Sequence, residues 1–315
     1  MTAMIRGVAH QLGALVALFV VTLGGAEPTH AARLDETPRM AVISAFPPEW
    51  QELTAAIEGR VDHEENGVAF VTGRLEGRDV VLFLSGVSVV NAAMTTQLAL
   101  DRFNVTAIVF SGIAGGVDPT LTIGDIIVPK RWGPYLHMVL ARDTDAGYVV
   151  PPFYGKPFKN FGMIHPQPVS VRRKGQAEFH DVFWFEVDPQ LMAVAEAAAS
   201  AVTLSRCAEA GACLDEAPEV ILGGNGVSGS AFVDNAEFRD YVFTTFEASI
   251  LDMESAAVAQ VAYANAVPFI AIRSLSDLAG GGEGENELPV FFGLAAGNAA
   301  AMVKAFLAAS ETIGR

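Results

Sequence analysis

The stretch VPFIAIRSLSD, residues 267–277, constrains what this chain can fold into more than any other. Its apolar residues run on with almost no alternation, and a strand of that kind must be covered on both faces. MAVISAF (40–46) and VTAIVFSGIAGG (105–116) have the same character. Between such runs the spacing turns helical, in PPEWQELTAAI (47–57), VVNAAMTTQLALDRF (89–103) and ESAAVAQVAYANA (254–266). Buried strands alternating with amphipathic helices predict a single α/β domain with a central mixed, mostly parallel sheet flanked by helices.

Further elements fill in the order. VAFVTGRLEGRDVVLFLSG (68–86) reads as two strands joined at Glu76-Gly77, and GDIIVPKRW (124–132) as one short strand. DPQLMAVAEAAASAV (188–202) predicts a helix, EVILGGNGVSG (219–229) a strand and NAEFRDYVFTTF (235–246) a helix; SILDM (249–253) reads as a strand and about 294–308 as a last helix. From about 131 to 187 proline, glycine and aromatic residues break the pattern, so loops and short strands are expected there, covering one end of the molecule.

The first 32 residues stand apart. An early Arg6, an apolar stretch from about Leu12 to Leu23 and the tripeptides Thr29-His30-Ala31 and His30-Ala31-Ala32, each ending in a small residue, match a secretory signal cleaved between Ala26 and Ala32. The apolar run falls short of the roughly 20 residues a membrane span needs. The expected mature domain is therefore 33–315, exported to a periplasm or medium and free of stable membrane association. Cys207 and Cys213, the chain's two cysteines, can close a short disulfide loop in such a compartment.

Composition removes several functions. A formal net charge of -16 with no basic cluster argues against nucleic acid. SGIAGG is not the dinucleotide fingerprint, GGGEGENE lacks the Lys-Ser/Thr of a phosphate loop, and GVSGS around Ser228 lacks the last glycine of a nucleophile elbow. His63, His137 and His165 show no metal-ligand spacing and read as polar surface or loop residues. No metal or cofactor is called for.

What remains is a set of carboxylates at element ends: Glu49 after the first strand, Glu254 at a strand-to-helix junction, and Asp277 closing VPFIAIRSLSD. Each alone is the residue type that caps a helix or faces solvent. Together they stand where open α/β sheets keep their ligands. A protonated acid paired with an ionised base is what cleaving a glycosidic bond requires.

AVISAFPPEWQEL (41–53), FSGIAGGVDPTLTIGDIIVP (110–129), SGSAFVDN (228–235) and LDMESAAVAQVAYANAVPFIAIRSLSD (251–277) resemble the nucleoside phosphorylase superfamily. Within it they are most similar to 5'-methylthioadenosine/S-adenosylhomocysteine nucleosidases, over roughly 40–130 and 218–312. The resemblance implies a nucleoside phosphorylase-like fold, a homodimer and hydrolysis of a purine nucleoside of adenine type. It gives Asp277, oriented by Ser276, the protonation of purine N7, and Glu49 the activation of water. Glu254 would bind the ribose hydroxyls over Met253, Phe232 would stack on the base, and the Val233 backbone would read its edge. Ile113, Ala114 and Gly115 would line the ribose side, and Arg273 would hold the carboxylates' charge in place. LDMES carries Asp252 where the family more often has Glu. The segment 131–217 has no counterpart and is able to close the pocket over the 5' substituent. A phosphate-dependent phosphorylase and a non-catalytic nucleoside-binding or storage protein are the alternatives. Against the first, SAFPPEW has no arginine, and Phe110 stands about where a phosphate-holding arginine would.

Overall fold

In the computed structural model, which describes residues 32–310 apart from 46, 209, 210 and 283, twelve strands form one mixed sheet. The proposed leader lies outside the described residues. The strands are β1 (Asp35–Ser44), β2 (Glu58–Glu65), β3 (Val68–Leu75), β4 (Arg78–Leu84), β5 (Phe103–Gly116) and β6 (Ile126–Val128), then β7 (Arg131–Gly133), β8 (Phe185–Glu186), β9 (Val220–Leu222), β10 (Asn225–Ser228), β11 (Ala248–Asp252) and β12 (Phe269–Asp277). The helices are α1 (Pro47–Ala55), α2 (Val89–Arg102), α3 (Pro189–Ala199), α4 (Ala236–Phe246), α5 (Ser255–Asn265) and α6 (Leu288–Ala309).

The continuous apolar strands lie at the centre. β1 pairs in parallel with β4 and β5, and β12 pairs in parallel with β5, with Ile108 beside Phe269 and Ile113 beside Ser274. Every residue of β12 is buried. Further pairs are antiparallel at β5–β11, β6–β12, β7–β8, β2–β3 and β3–β4 and parallel at β6–β9, β7–β10 and β10–β11. Helices α1, α3 and α6 pack as one group, and α2 packs against α5. Helix α6 is long and apolar enough to cross a membrane, yet Leu294, Met302, Val303, Phe306 and Leu307 are buried where it packs on β5 and β12.

The structure departs from the sequence reading in a few places. β2 is an additional strand, polar along both faces and mostly exposed. The single strands expected over 124–132 and 219–229 are each two, and the last helix begins at Leu288 rather than near Leu294. His165 is buried, in the short strand Ile164–Pro166, with neither ring nitrogen bonded to a protein partner. Burial is the first cause that pushes its pKa down, with Lys156 nearby adding to it.

Residues 138–182 form three two-stranded ribbons, Met138–Leu140 with Ile164–Pro166, Arg142–Thr144 with Gly147–Val149, and Val169–Val171 with His180–Val182. This region packs against α4: Phe161 meets Phe238 at 5.0 Å and Tyr241 at 5.2 Å between ring centroids, and Phe158 meets Phe246 at 5.1 Å. The Tyr241 hydroxyl donates to the Lys159 carbonyl at 2.9 Å. A disulfide joins Cys207 to Cys213, and the Asn298 side chain both accepts from the Ser205 amide and donates to its carbonyl, tying this loop to α6.

Phe306 is fully buried in the core cluster between α6 and the sheet. Phe306→Ala is expected to destabilise the fold by about 3–5 kcal/mol, read as a lowered denaturant midpoint; an unchanged midpoint would show that α6 is not seated there.

Candidate active site

The central strands end together, and a cavity of about 200 Å³ opens where they end. Its walls are Ala45 after β1, Val87 after β4, Ile113, Ala114 and Gly115 on β5, Ala231, Phe232 and Val233 after β10, and Leu251–Glu254, Ser276, Asp277 and Leu288. Glu49 enters from the first turn of α1. Ten of the eleven residues singled out for the site, all except Arg273, therefore line one cavity.

Asp277 is carried to its place by β12 and is 3% exposed. Its Oδ1 accepts from the Ala279 amide at 2.8 Å, and its Oδ2 from the Ser276 hydroxyl at 2.9 Å. Burial raises its pKa, against the lowering effect of those hydrogen bonds. Gly115 makes the approach possible, since a Cβ there would sit 3.1 Å from Asp277 Oδ1 and 3.2 Å from the Ala279 Cβ.

Glu49 is 2% exposed. Its two oxygens accept from backbone amides, Ala45 at 2.7 Å and Ile113 at 3.1 Å, which fixes the plane of the carboxylate between β1 and β5. Glycine is again required opposite: a Cβ on Gly112 would collide with the Arg273 guanidinium and stand 2.9 Å from Glu49 Oε1.

Glu254 occupies the N-cap position of α5, yet its side chain does not cap the helix. Asp252 does that work: its Oδ1 accepts from the amides of Glu254 at 3.2 Å and Ser255 at 3.1 Å. Freed from capping, Glu254 faces the cavity and its Oε1 accepts from the Ser88 amide at 2.7 Å. Burial first, then the charge of Asp252, pushes its pKa up to about 7, with Arg273 and the Ser88 amide acting the other way.

Arg273 lies behind this wall. It is 1% exposed, its Nε donates to Asp252 Oδ2 at 2.9 Å, and its guanidinium sits 3.9 Å over the Phe110 ring. Its ion pair is with Asp252, and its charge also favours the ionised form of Glu254. Ser228 and Ser255 complete the cluster by donating to Asp252. Sequence reasoning missed Ser88, Ser228 and Ser255 as site residues and treated Asp252 only as a variation on Glu. The sequence signal for Asp252 was its position two residues before Glu254; for Ser88 it was the turn between a buried strand and a helix.

Among the described residues of this chain, none from 131–217 lines the cavity. No group of three His, Cys, Asp or Glu among the described residues is placed to hold a metal ion.

The sequence pattern of the phosphorylase superfamily matches residues 39–308, nearly the whole described domain. The chain belongs to the phosphorylase superfamily. Within that family it is 30% identical over 272 residues to the 5'-methylthioadenosine/S-adenosylhomocysteine nucleosidase of Marinomonas sp. (strain MWYL1), covering 85% of this chain and 93% of the relative. It is 31% identical over 246 residues to the enzyme of the same name from Geobacillus thermodenitrificans (strain NG80-2), covering 77% and 85%. The solved structure of the Colwellia psychrerythraea 34H nucleosidase in complex with adenine superposes with a TM-score of 0.64 at 26% identity, over 86% of this chain and 95% of that one.

The raised pKa of Glu254 has a stability consequence. Between its ordinary 4.5 and about 7 the folded carboxyl holds a proton that the unfolded chain has released. Stability therefore falls as pH rises through that window. Glu254→Gln, which never ionises, is expected to be more stable than the parent at pH 8, with the gap shrinking towards pH 5. Denaturant midpoints at the two pH values measure it, and a gap independent of pH would count against the shift.

Proposed function

We infer that this chain is a nucleosidase that hydrolyses the N-glycosidic bond of adenine-type nucleosides, 5'-methylthioadenosine and S-adenosylhomocysteine being the substrates named for its relatives. The observation that carries the reading is the convergence of Glu49, Glu254 and Asp277 on one cavity at the strand ends.

A purine leaves poorly until N7 is protonated. Asp277, whose pKa burial raises, acts as the acid: it gives a proton to N7 as the C1'–N9 bond breaks and the bonding pair passes to the base. The Ser276 hydroxyl then donates to the new carboxylate, stabilising the charge that forms. The ribosyl group acquires cationic character, which the anionic face of Glu49 and Glu254 favours. Glu49 takes a proton from the water that attacks C1'. Glu254 accepts from the ribose hydroxyls above Met253, and Phe232, 56% exposed at the rim, stacks on the base while the buried Val233 backbone reads its edge. Activity rises as Glu254 ionises through about pH 7 and falls where Asp277 loses its proton.

Water suits this cavity better than phosphate. A dianion beside Glu49 and Glu254 would find Arg273 already committed to Asp252, with the apolar Phe110 ring beneath the guanidinium. Base release at full rate without phosphate, giving free 5-substituted ribose, is therefore expected. Asp277→Asn and Glu49→Gln should each lower turnover at least about a hundredfold. Dependence on phosphate with accumulation of a ribose 1-phosphate would establish phosphorolysis instead, and binding without turnover a storage role.

We further propose export and a homodimer. The Cys207–Cys213 disulfide supports an oxidising compartment. Val87, Val90 and Met94, exposed beside the cavity mouth and along the start of α2, support burial against a second copy. Native mass spectrometry should give two chains, each beginning between Glu27 and Arg33; a monomer or an intact Met1 would overturn the corresponding part.

A further inference from the structure

Ser88 joins β4 to α2 in a backbone conformation, φ 82 and ψ 157, that belongs to glycine. A residue with a side chain stays there only when its surroundings hold it. Although Ser88 is the N-cap of α2, its hydroxyl makes no cap bond to the helix. It donates instead to the Ser230 hydroxyl at 2.8 Å, 142 positions away. Its amide points at Glu254 Oε1, at 2.7 Å.

These two bonds join segments that wall the cavity. Val87 lines one wall, and Ser230 begins the loop whose next residues, Ala231, Phe232 and Val233, line another. Glu254 stands between them as the carboxylate nearest Ser88. We propose that Ser88 is a positioning residue for sugar recognition: its amide fixes the Glu254 carboxylate, and the Ser88–Ser230 hydroxyl clasp keeps that amide aimed. The proposal rests on reading the cavity as a nucleoside site.

The chemistry follows from the shape of a carboxylate. To accept from a vicinal diol it must hold one plane, and a single backbone donor at Oε1 sets that plane while leaving Oε2 for the sugar. The amide also favours the ionised form. Around Glu254, Asp252 on β11 and Glu49 on α1 disfavour ionisation, whereas Arg273 on β12 favours it; Asp277 faces the same cavity from the end of β12. Without the clasp, Ser88 relaxes towards ordinary φ, its amide turns away, and Glu254 loses both its orientation and part of the support for its charge.

Three variants separate this from a structural role. Ser230→Ala removes the clasp at an exposed position, Ser88→Ala removes it while keeping the Cβ, and Ser88→Gly removes the hydroxyl but accepts the conformation unaided. For the two alanine variants we expect kcat/KM for a ribosyl substrate to fall about tenfold, through KM more than kcat, with little change for the 2'-deoxy analogue. The low-pH limb should move up by about half a unit. Ser88→Gly should restore both towards the parent. A carbon-13 carboxyl titration of Glu254 in the ligand-free protein should move upward in the alanine variants and return in Ser88→Gly. Unchanged Glu254 titration in both alanine variants overturns the proposal. An inactive parent whose Glu254 titration still responds in this pattern would overturn the nucleosidase reading and leave the clasp standing.

Discussion

The site depends on a buried ion pair, of which Asp252 lines the cavity and Arg273 lies behind it. Asp252 and Arg273 are both almost fully buried, and burying two charges is costly unless every polar atom is met. Here nearly everything is. Asp252 accepts from Ser228, Ser255, Arg273 and two backbone amides, and Arg273 also donates to Ser255 and lies on the Phe110 ring. The cluster ties β10, β11 and β12 to the start of α5. Because Asp252 caps that helix, Glu254 is released to face the cavity. Burial first, then the negative charge behind it, raises the pKa of Glu254, and Arg273 limits how far.

Three carboxylates in one cavity thus stand in different surroundings. Asp277 ends a strand buried on both faces, and that burial raises its pKa. Glu49 is met by two backbone amides, which orient an acceptor towards the same space. Glu254 has one backbone donor and one buried acidic neighbour, and titrates near neutrality. Environments that separate the proton affinities of like groups are what assign acid and base roles.

Much of this was legible in the sequence, for identifiable reasons. The continuous apolar runs forced a sheet covered on both faces, and carboxylates closing such runs had to lie at the strand ends. Glu49, Glu254 and Asp277 could be singled out on that ground, while the pocket's aliphatic and aromatic lining came from family resemblance. The edge strand β2 escaped because EGRVDHEE has no buried face and pairs with one neighbour through its backbone. Helix α6 was shortened because its first turns, from Leu288, follow a glycine-rich loop that masks the start of the period. Ser88 was invisible for a different reason: a serine at a strand-to-helix turn looks like a cap, and neither its positive φ nor its distant partners leave a mark in the local pattern.

The aromatic packing behind α4 matters for how such a protein can vary. Phe158, Phe161 and Phe183 pack on the helix's rings, and the loop bearing Phe232 and Val233 runs straight into that helix at Asn235. The long segment 131–217 is thus a buttress at one remove. Exchanges among its rings would change how firmly the loop bearing Phe232 is anchored, and so its compliance, without altering any residue that lines the cavity. That places a means of tuning affinity in the part of the chain least bound by the chemistry of the reaction.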